Sequence, residues 1–236
     1  MESFLSLLES QNFIVLSGPP GVGKTKLVVE WIARFQDKFP SYQVFSVANK
    51  HYDLLEDLSH YLTSDKNSIL FVDDANRIDN LWQILEFYKS RTKGNLKIII
   101  TVRDYALPEI QNKCIWIVAP HKLCIEKLNN EQVIDILKSK PFEILNSNFH
   151  REINKISDWN PRLAIMCAKL SIETQDLFAL SDVSEMFEAY FSRFLKEKES
   201  LDEKILIQTA WIISFFYALP YKDNDLMKWI LSDMNI

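Results

Sequence analysis

Phe13-Ile14-Val15-Leu16-Ser17-Gly18-Pro19-Pro20-Gly21-Val22-Gly23-Lys24-Thr25 is the stretch on which the reading of this chain turns. A short apolar run leads into a turn holding three glycines, and Lys24-Thr25 then opens a helical pattern. Residues 18–25 match G-x-x-x-x-G-K-[ST] in full, with the preceding strand and following helix that the pattern requires. Gly18, Gly21 and Gly23 let the backbone curl so that successive N–H groups converge on a phosphate chain. The helix behind them adds its N-terminal partial positive charge. Lys24 then reaches the β- and γ-phosphates, and the Thr25 hydroxyl falls to Mg2+. Pro19, Pro20, Val22 and Lys26 complete the candidate nucleotide-binding loop.

The rest of the composition sharpens this reading. At a usual share of ~7%, a chain this long would carry roughly 16 or 17 glycines. It has four, three of them in the loop, so conformational freedom is concentrated at one turn. Apolar residues are 47% and charged residues 25%, the proportions of an ordinary globular protein. Lys plus Arg number 27 against 32 Asp plus Glu, a net charge of −5, which does not suggest a broad nucleic-acid surface but leaves room for a local basic patch. Cys114, Cys124 and Cys167 form no C-x-x-C pair and read as reduced thiols of a cytoplasmic protein. The N-terminus lacks a basic n-region. The greasiest stretch, 205–219, is interrupted by Gln208, Thr209 and Ser214 and is shorter than the ~20 residues that span a bilayer. It reads as a core helix, and no membrane segment is expected.

Between residues 13 and 118, β-rich runs alternate with helical patterns. Strands are expected at 13–16, 43–47, 69–72, 97–101 and 114–118, and helices at 24–35, 52–62 and 80–91. Strands apolar at every position belong to a parallel sheet covered on both faces, so a doubly wound α/β layer of about five strands is expected. From Asn129 onward only helical patterns occur: 130–139, 148–156, 161–171, 182–198, 202–219 and 225–232. Asn160 followed by Pro161 reads as an N-cap with proline at the first helical position. Asp182 with Glu185 reads as a capping box. The expected division is an α/β nucleotide-binding domain over 1–125, a helical lid over 126–200 and a further helical segment over 201–236.

Three more clusters bear on chemistry. Ile69-Leu70-Phe71-Val72 ends in Asp73-Asp74, and such a strand delivers its acids to the carboxyl edge of the sheet, where ligands bind. Asp73 then serves Mg2+ through water, while Asp74 orients or deprotonates the attacking water; the competing role for both is to cap the next turn. A second buried run ends in Thr101-Val102-Arg103-Asp104, placing Arg103 within reach of a γ-phosphate or, alternatively, of Asp74 or Asp104. In Trp159-Asn160-Pro161-Arg162-Leu163-Ala164, Pro161 and Arg162 either close over the base and phosphates or merely begin a well-capped helix. His51, His60, His121 and His150 show no metal-ligand spacing. Tyr42, Tyr52 and Tyr61 form no aromatic-basic surface for single strands.

The order of these four elements resembles the STAND NTPases, signal-transduction ATPases related to AAA+, over roughly residues 5–200. The Thr-x-Arg and Asn-Pro-x-Leu-Ala elements point there most specifically. The resemblance implies a P-loop NTPase fold, ATP/ADP with Mg2+ as ligands, Arg103 as a first nucleotide sensor and Pro161 near the base. Trp159 stands where the lid of that family has glycine, and Arg162 falls where AAA+ proteins carry a second sensor arginine. No arginine-finger element is evident between Arg103 and Cys114. Residues from Asp202 onward resemble the start of a winged-helix segment. Adenine is implied over guanine, for there is no N-K-x-D motif. The implied activity is slow ATP hydrolysis in a nucleotide-dependent switch for signalling or anti-phage defence, with a protein partner or self-association on activation. The chain is then expected to be the NTPase part of a longer protein. A non-catalytic nucleotide-binding scaffold remains open, because Asp74 is one methylene shorter than the glutamate usual in AAA+. A DNA-associated AAA+ ATPase is the third alternative.

Overall fold

The computed structural model describes residues 2–47, 54–91, 95–115 and 119–174, together with positions 183, 186 and 187. Contacts divide the chain into two units, Met1–Lys169 and Leu170–Ile236. The first contains a five-stranded parallel sheet: β1 (Phe13–Gly18), β2 (Tyr42–Val47), β3 (Asn67–Val72), β4 (Leu96–Arg103) and β5 (His121–Cys124), in the order β2-β3-β4-β1-β5. Because β4 lies between β1 and β3, the end of β4 stands between the glycine loop and the acidic strand end. In register, Gly18 faces Arg103 and Val72 faces Ile100.

The alternation of side chains builds two apolar layers from the same strands. Phe13, Val15, Leu70, Val72, Ile98, Ile100 and Val102 point to the face covered by α3 (Leu54–Tyr61), α4 (Leu81–Ser90) and α5 (Leu107–Ile115). Ile14, Leu16, Ile69, Phe71 and Ile99 point to the other, where α1 (Glu2–Ser10) contributes Leu8 and α2 (Lys24–Lys38) contributes Val28, Trp31, Ile32 and Phe35. Burying each such side chain stabilises the fold by roughly 1.5–3 kcal/mol, which is why β1, β3 and β4 can be apolar at nearly every position. Beyond the sheet come α6 (Asn130–Lys138), α7 (Ser147–Ser157) and α8 (Pro161–Thr174). α6 opens with a capping box between Asn129 and Gln132, and α7 is capped by Asn146, two signals not singled out in the sequence.

One expected strand is corrected. Cys114 and Ile115 are the last residues of α5, while 116–118 lie outside the described residues, and the fifth strand is instead His121–Cys124. Cys114-Ile115-Trp116-Ile117-Val118 is an apolar run, and run length alone does not separate a buried strand from a helix end. In the helix Cys114 falls one turn after Ile110, and both are buried in the core. β5 lies at the sheet edge with His121, Lys122 and Cys124 exposed, so it carries little apolar signal. The helices expected at 202–219 and 225–232, the capping box at Asp182 and Glu185, and the winged-helix-like segment lie outside the described residues. No helix among the described residues is long and apolar enough to cross a membrane.

Candidate functional site

The carboxyl ends of β1, β4 and β3 converge on one edge of the sheet, and each brings one expected cluster with it. From β1 the chain enters the glycine loop. A Cβ at Gly18 would stand 2.3 Å from the Ile125 carbonyl oxygen, so the chain leaving β5 passes too close for any other residue. Gly21 has φ +82°, a conformation that costs a residue with a Cβ. The loop ends on Lys24, the first residue of α2, whose ammonium is buried and donates to the carbonyls of Gly18 (2.7 Å) and Pro19 (2.9 Å). Burial pushes the Lys24 pKa below its ordinary value, opposed by the charges of Asp74, Asp104 and Asp73 and reinforced by Arg103.

Next along α2, the Thr25 hydroxyl donates to the Asp73 carboxylate, 2.9 and 3.1 Å from its two oxygens. This joins loop and acidic strand end, 48 residues apart, into one set of hard oxygen donors. Thr101, fully buried near the end of β4, locks the set: its hydroxyl donates to Asp73 Oδ1 at 2.5 Å and accepts from the Asp74 N–H at 2.9 Å. Asp74 itself sits at φ 47°, ψ 54°, a left-handed conformation that a non-glycine residue keeps only where its surroundings impose it. Its Oδ2 lies 3.6 Å from both Arg103 Nη2 and Arg77 Nε. Arg103 is thus near the loop, but ion-paired with Asp74, one of its two open alternatives. Its backbone N–H is 3.5 Å from Asn76 Oδ1.

The helical elements also reach the loop. Asn160 Oδ1 accepts from the N–H groups of Arg162 (3.0 Å) and Leu163 (3.4 Å), the cap expected before Pro161. Its Nδ2 donates to the Pro20 carbonyl at 2.8 Å. Arg162 Cβ lies 3.3 Å from where a Cβ on Gly21 would stand, so Arg162 is beside the glycine loop with its side chain exposed. Pro161 is the first residue of α8, and no described contact ties it to the loop. Val22 is buried, while Lys26 is exposed one position beyond Thr25. Trp159 has φ 57°, the left-handed backbone that glycine takes without strain.

Thr101, Asn160, Arg77 and Asn76 stand in this site without being among the expected site residues. Thr101 belongs to the Thr-x-Arg element, and as a hydroxyl in the apolar run 98–102 it carries a signal that the expected site residues leave out. Asn160 belongs to the Asn-Pro-x-Leu-Ala element, where its expected role is the cap and not the contact to the loop.

A profile of the family described as Novel STAND NTPase 3 matches residues 1–150. No curated protein matches the chain. Among solved structures, the ORC2 protein of Aeropyrum pernix, in ADPNP–ADP complexes, is 13% identical with a TM-score of 0.55, over 87% of this chain and 69% of that one. An arginine-to-alanine variant of Thermotoga maritima RuvB is 18% identical with a TM-score of 0.54, over 100% of this chain and 80% of that one. A proline-to-glycine variant of the same RuvB is 16% identical, TM-score 0.54, over 100% and 79%. At these identities the likeness is one of fold. With the family match spanning well over half of its length, and a glycine loop, acidic strand end and Thr-x-Arg strand gathered on one sheet edge, the chain belongs to the novel STAND NTPase family.

Proposed function

We propose that the chain binds Mg-ATP and hydrolyses it slowly, acting as a nucleotide-dependent switch. The observation that carries this reading is the chain of contacts from Thr25 through Asp73 to Thr101, set beside a buried Lys24 whose ammonium rests on loop carbonyls. A hydroxyl and a carboxylate side by side are the donor types that magnesium takes, so Thr25 and Asp73 would hold the ion. Magnesium held there would supply neutralisation of phosphate charge. Gly18, Pro19, Pro20, Gly21, Val22 and Gly23 cradle the phosphates with their backbone, Lys24 exchanges its carbonyl partners for phosphate oxygens, and Lys26 borders the loop. Arg103, opposite Gly18 in register, contacts the third phosphate and releases Asp74 as it does so. Asp74 then accepts a proton from the attacking water. Pro161 and Arg162 complete the base and phosphate contacts from the helical side. The adenine preference is supported by the nucleotide named for the ORC2 structure.

In the cell this module would work in the cytoplasm, in signalling or anti-phage defence, coupling its nucleotide to a protein partner or to self-association. A second reading, a nucleotide-binding scaffold without turnover, is favoured by one observation. Asp74 Oδ2 lies 3.6 Å from each of two guanidinium groups, so this carboxylate is already engaged in two ion pairs, as a structural group would be. Single-turnover phosphate release from Mg-ATP decides between them. Asp74→Asn keeps size and hydrogen bonding, so ATP should still bind while release slows ~10²–10⁴-fold, the usual general-base contribution. Wild-type protein that binds ATP and releases no phosphate would establish the scaffold.

A further inference from the structure

Asn160 does more than cap α8. Ser, Thr and Asp also cap helices well. The asparagine amide additionally presents an acceptor oxygen to the helix and a separate N–H2 donor to a second group. Here both ends are used: Oδ1 serves the N–H groups of Arg162 and Leu163, and Nδ2 donates across 140 residues of chain to the Pro20 carbonyl at 2.8 Å. The cap fixes which end of the amide faces the loop, because only the oxygen can accept from the helix.

That second bond orients a peptide plane. The Pro20–Gly21 peptide is planar, with its C=O and N–H pointing in opposite directions. With the Pro20 carbonyl held toward Asn160, the Gly21 N–H is directed away from α8. The two preceding loop carbonyls, Gly18 and Pro19, are held by Lys24. Consecutive carbonyls at 18, 19 and 20 therefore have side-chain donors. The approach is close enough to require glycine, because a Cβ at Gly21 would stand 2.8 Å from Asn160 Oδ1.

We propose that Asn160 is a positioning residue for the nucleotide: by holding the Pro20 carbonyl it aims the Gly21 N–H at the phosphates and makes the start of α8 part of the phosphate site. This rests on the nucleotide-binding reading above. Loop amides cradle the α- and β-phosphates, so the effect is shared by ADP and ATP. In this it differs from that of Arg103, which concerns the third phosphate alone.

The test is calorimetric titration of ADP and ATP into wild type, Asn160→Ser and Asn160→Ala, with melting curves for each. Serine keeps the cap but cannot span to Pro20. Asn160→Ser should therefore melt within a few degrees of wild type, yet bind ADP and ATP about three- to tenfold more weakly with their ratio unchanged. Asn160→Ala should show the same affinity loss and a lower Tm. Wild-type affinity in Asn160→Ser would overturn the proposal. A second readout does not depend on stability: with four glycines in the chain, 15N-glycine labelling gives few amide resonances. In Asn160→Ser the Gly21 resonance should already move without ligand, and its response to ADP should shrink; an unmoved Gly21 resonance would equally overturn the proposal. If wild type itself bound neither nucleotide, the nucleotide reading would fall and this one with it, an outcome distinct from a neutral Asn160→Ser.

Discussion

Two lysines are buried at opposite ends of the same sheet, and their difference separates a site from a strut. Lys97, near the start of β4, donates to Asn12 Oδ1 (3.0 Å) and to the carbonyls of Gln11 (3.2 Å) and Glu9 (3.4 Å). Its ammonium also lies 5.9 Å from the Phe35 ring centroid. Glu9 belongs to the last turn of α1, where unpaired helix carbonyls concentrate negative partial charge. Lys97 thus ties α1 and the chain entering β1 to the sheet. Lys24, at the other end, has among the described residues only loop carbonyls for hydrogen-bond partners, in a neighbourhood where Asp74, Asp104, Asp73 and Arg103 all contribute to its charge environment. Burial lowers the pKa of both, and at Lys97 the Glu9 carboxylate opposes it. A cation held by backbone oxygens alone, beside a second cation and a carboxylate-hydroxyl pair, is suited to exchange partners with a polyanion. A cation engaged by three oxygens at a helix end is not.

The largest effect that would sharpen this contrast is on stability. Lys97→Ala removes a donor from three buried or part-buried oxygens and should cost about 2–3 kcal/mol, lowering Tm by about 5–10 °C, with ATP affinity within twofold of wild type. A loss of ATP affinity without a drop in Tm would break the comparison. Next in size, Arg103→Ala should leave ADP affinity near wild type and reduce the preference for ATP over ADP roughly fivefold, about 1 kcal/mol. Equal losses for both nucleotides in parallel titrations would make Arg103 a structural support of the loop and not a reader of the third phosphate. An effect of similar size and opposite sign concerns the turn before α8. Trp159→Gly relieves a left-handed backbone at an exposed side chain. Against the entropic cost of glycine, the net gain should be about 1 kcal/mol, raising Tm by about 2–4 °C and leaving the ATP response unchanged. A lower Tm would show that the indole contributes more than the turn costs.

The parts of this molecule that were legible in the sequence are those whose physics is local. The glycine loop is legible because glycine is scarce elsewhere, and Asp73 because an apolar strand must end where water begins. Thr25 followed from the loop, and the Asn160 cap from the Pro161 beside it. The parts that depend on which strand lies next to which were not. Only with β4 between β1 and β3 does Thr101 meet Asp73 and the Asp74 N–H. The Asn160–Pro20 bond, spanning 140 residues, leaves no periodicity to read. β5 was missed because an edge strand needs no apolar alternation, and the neighbouring apolar run 114–118 offered a stronger pattern at the wrong place.

The claim that the Lys24 end of the sheet is the nucleotide site is tested most directly by one melting experiment, in which wild type, Lys24→Ala and Lys97→Ala are heated across a series of Mg-ATP concentrations. A ligand that binds only the folded state raises Tm steadily with its concentration. The account predicts a rising Tm for wild type, a lower starting Tm with the same rise for Lys97→Ala, and no rise for Lys24→Ala. A rise in Lys24→Ala equal to that of wild type would contradict it.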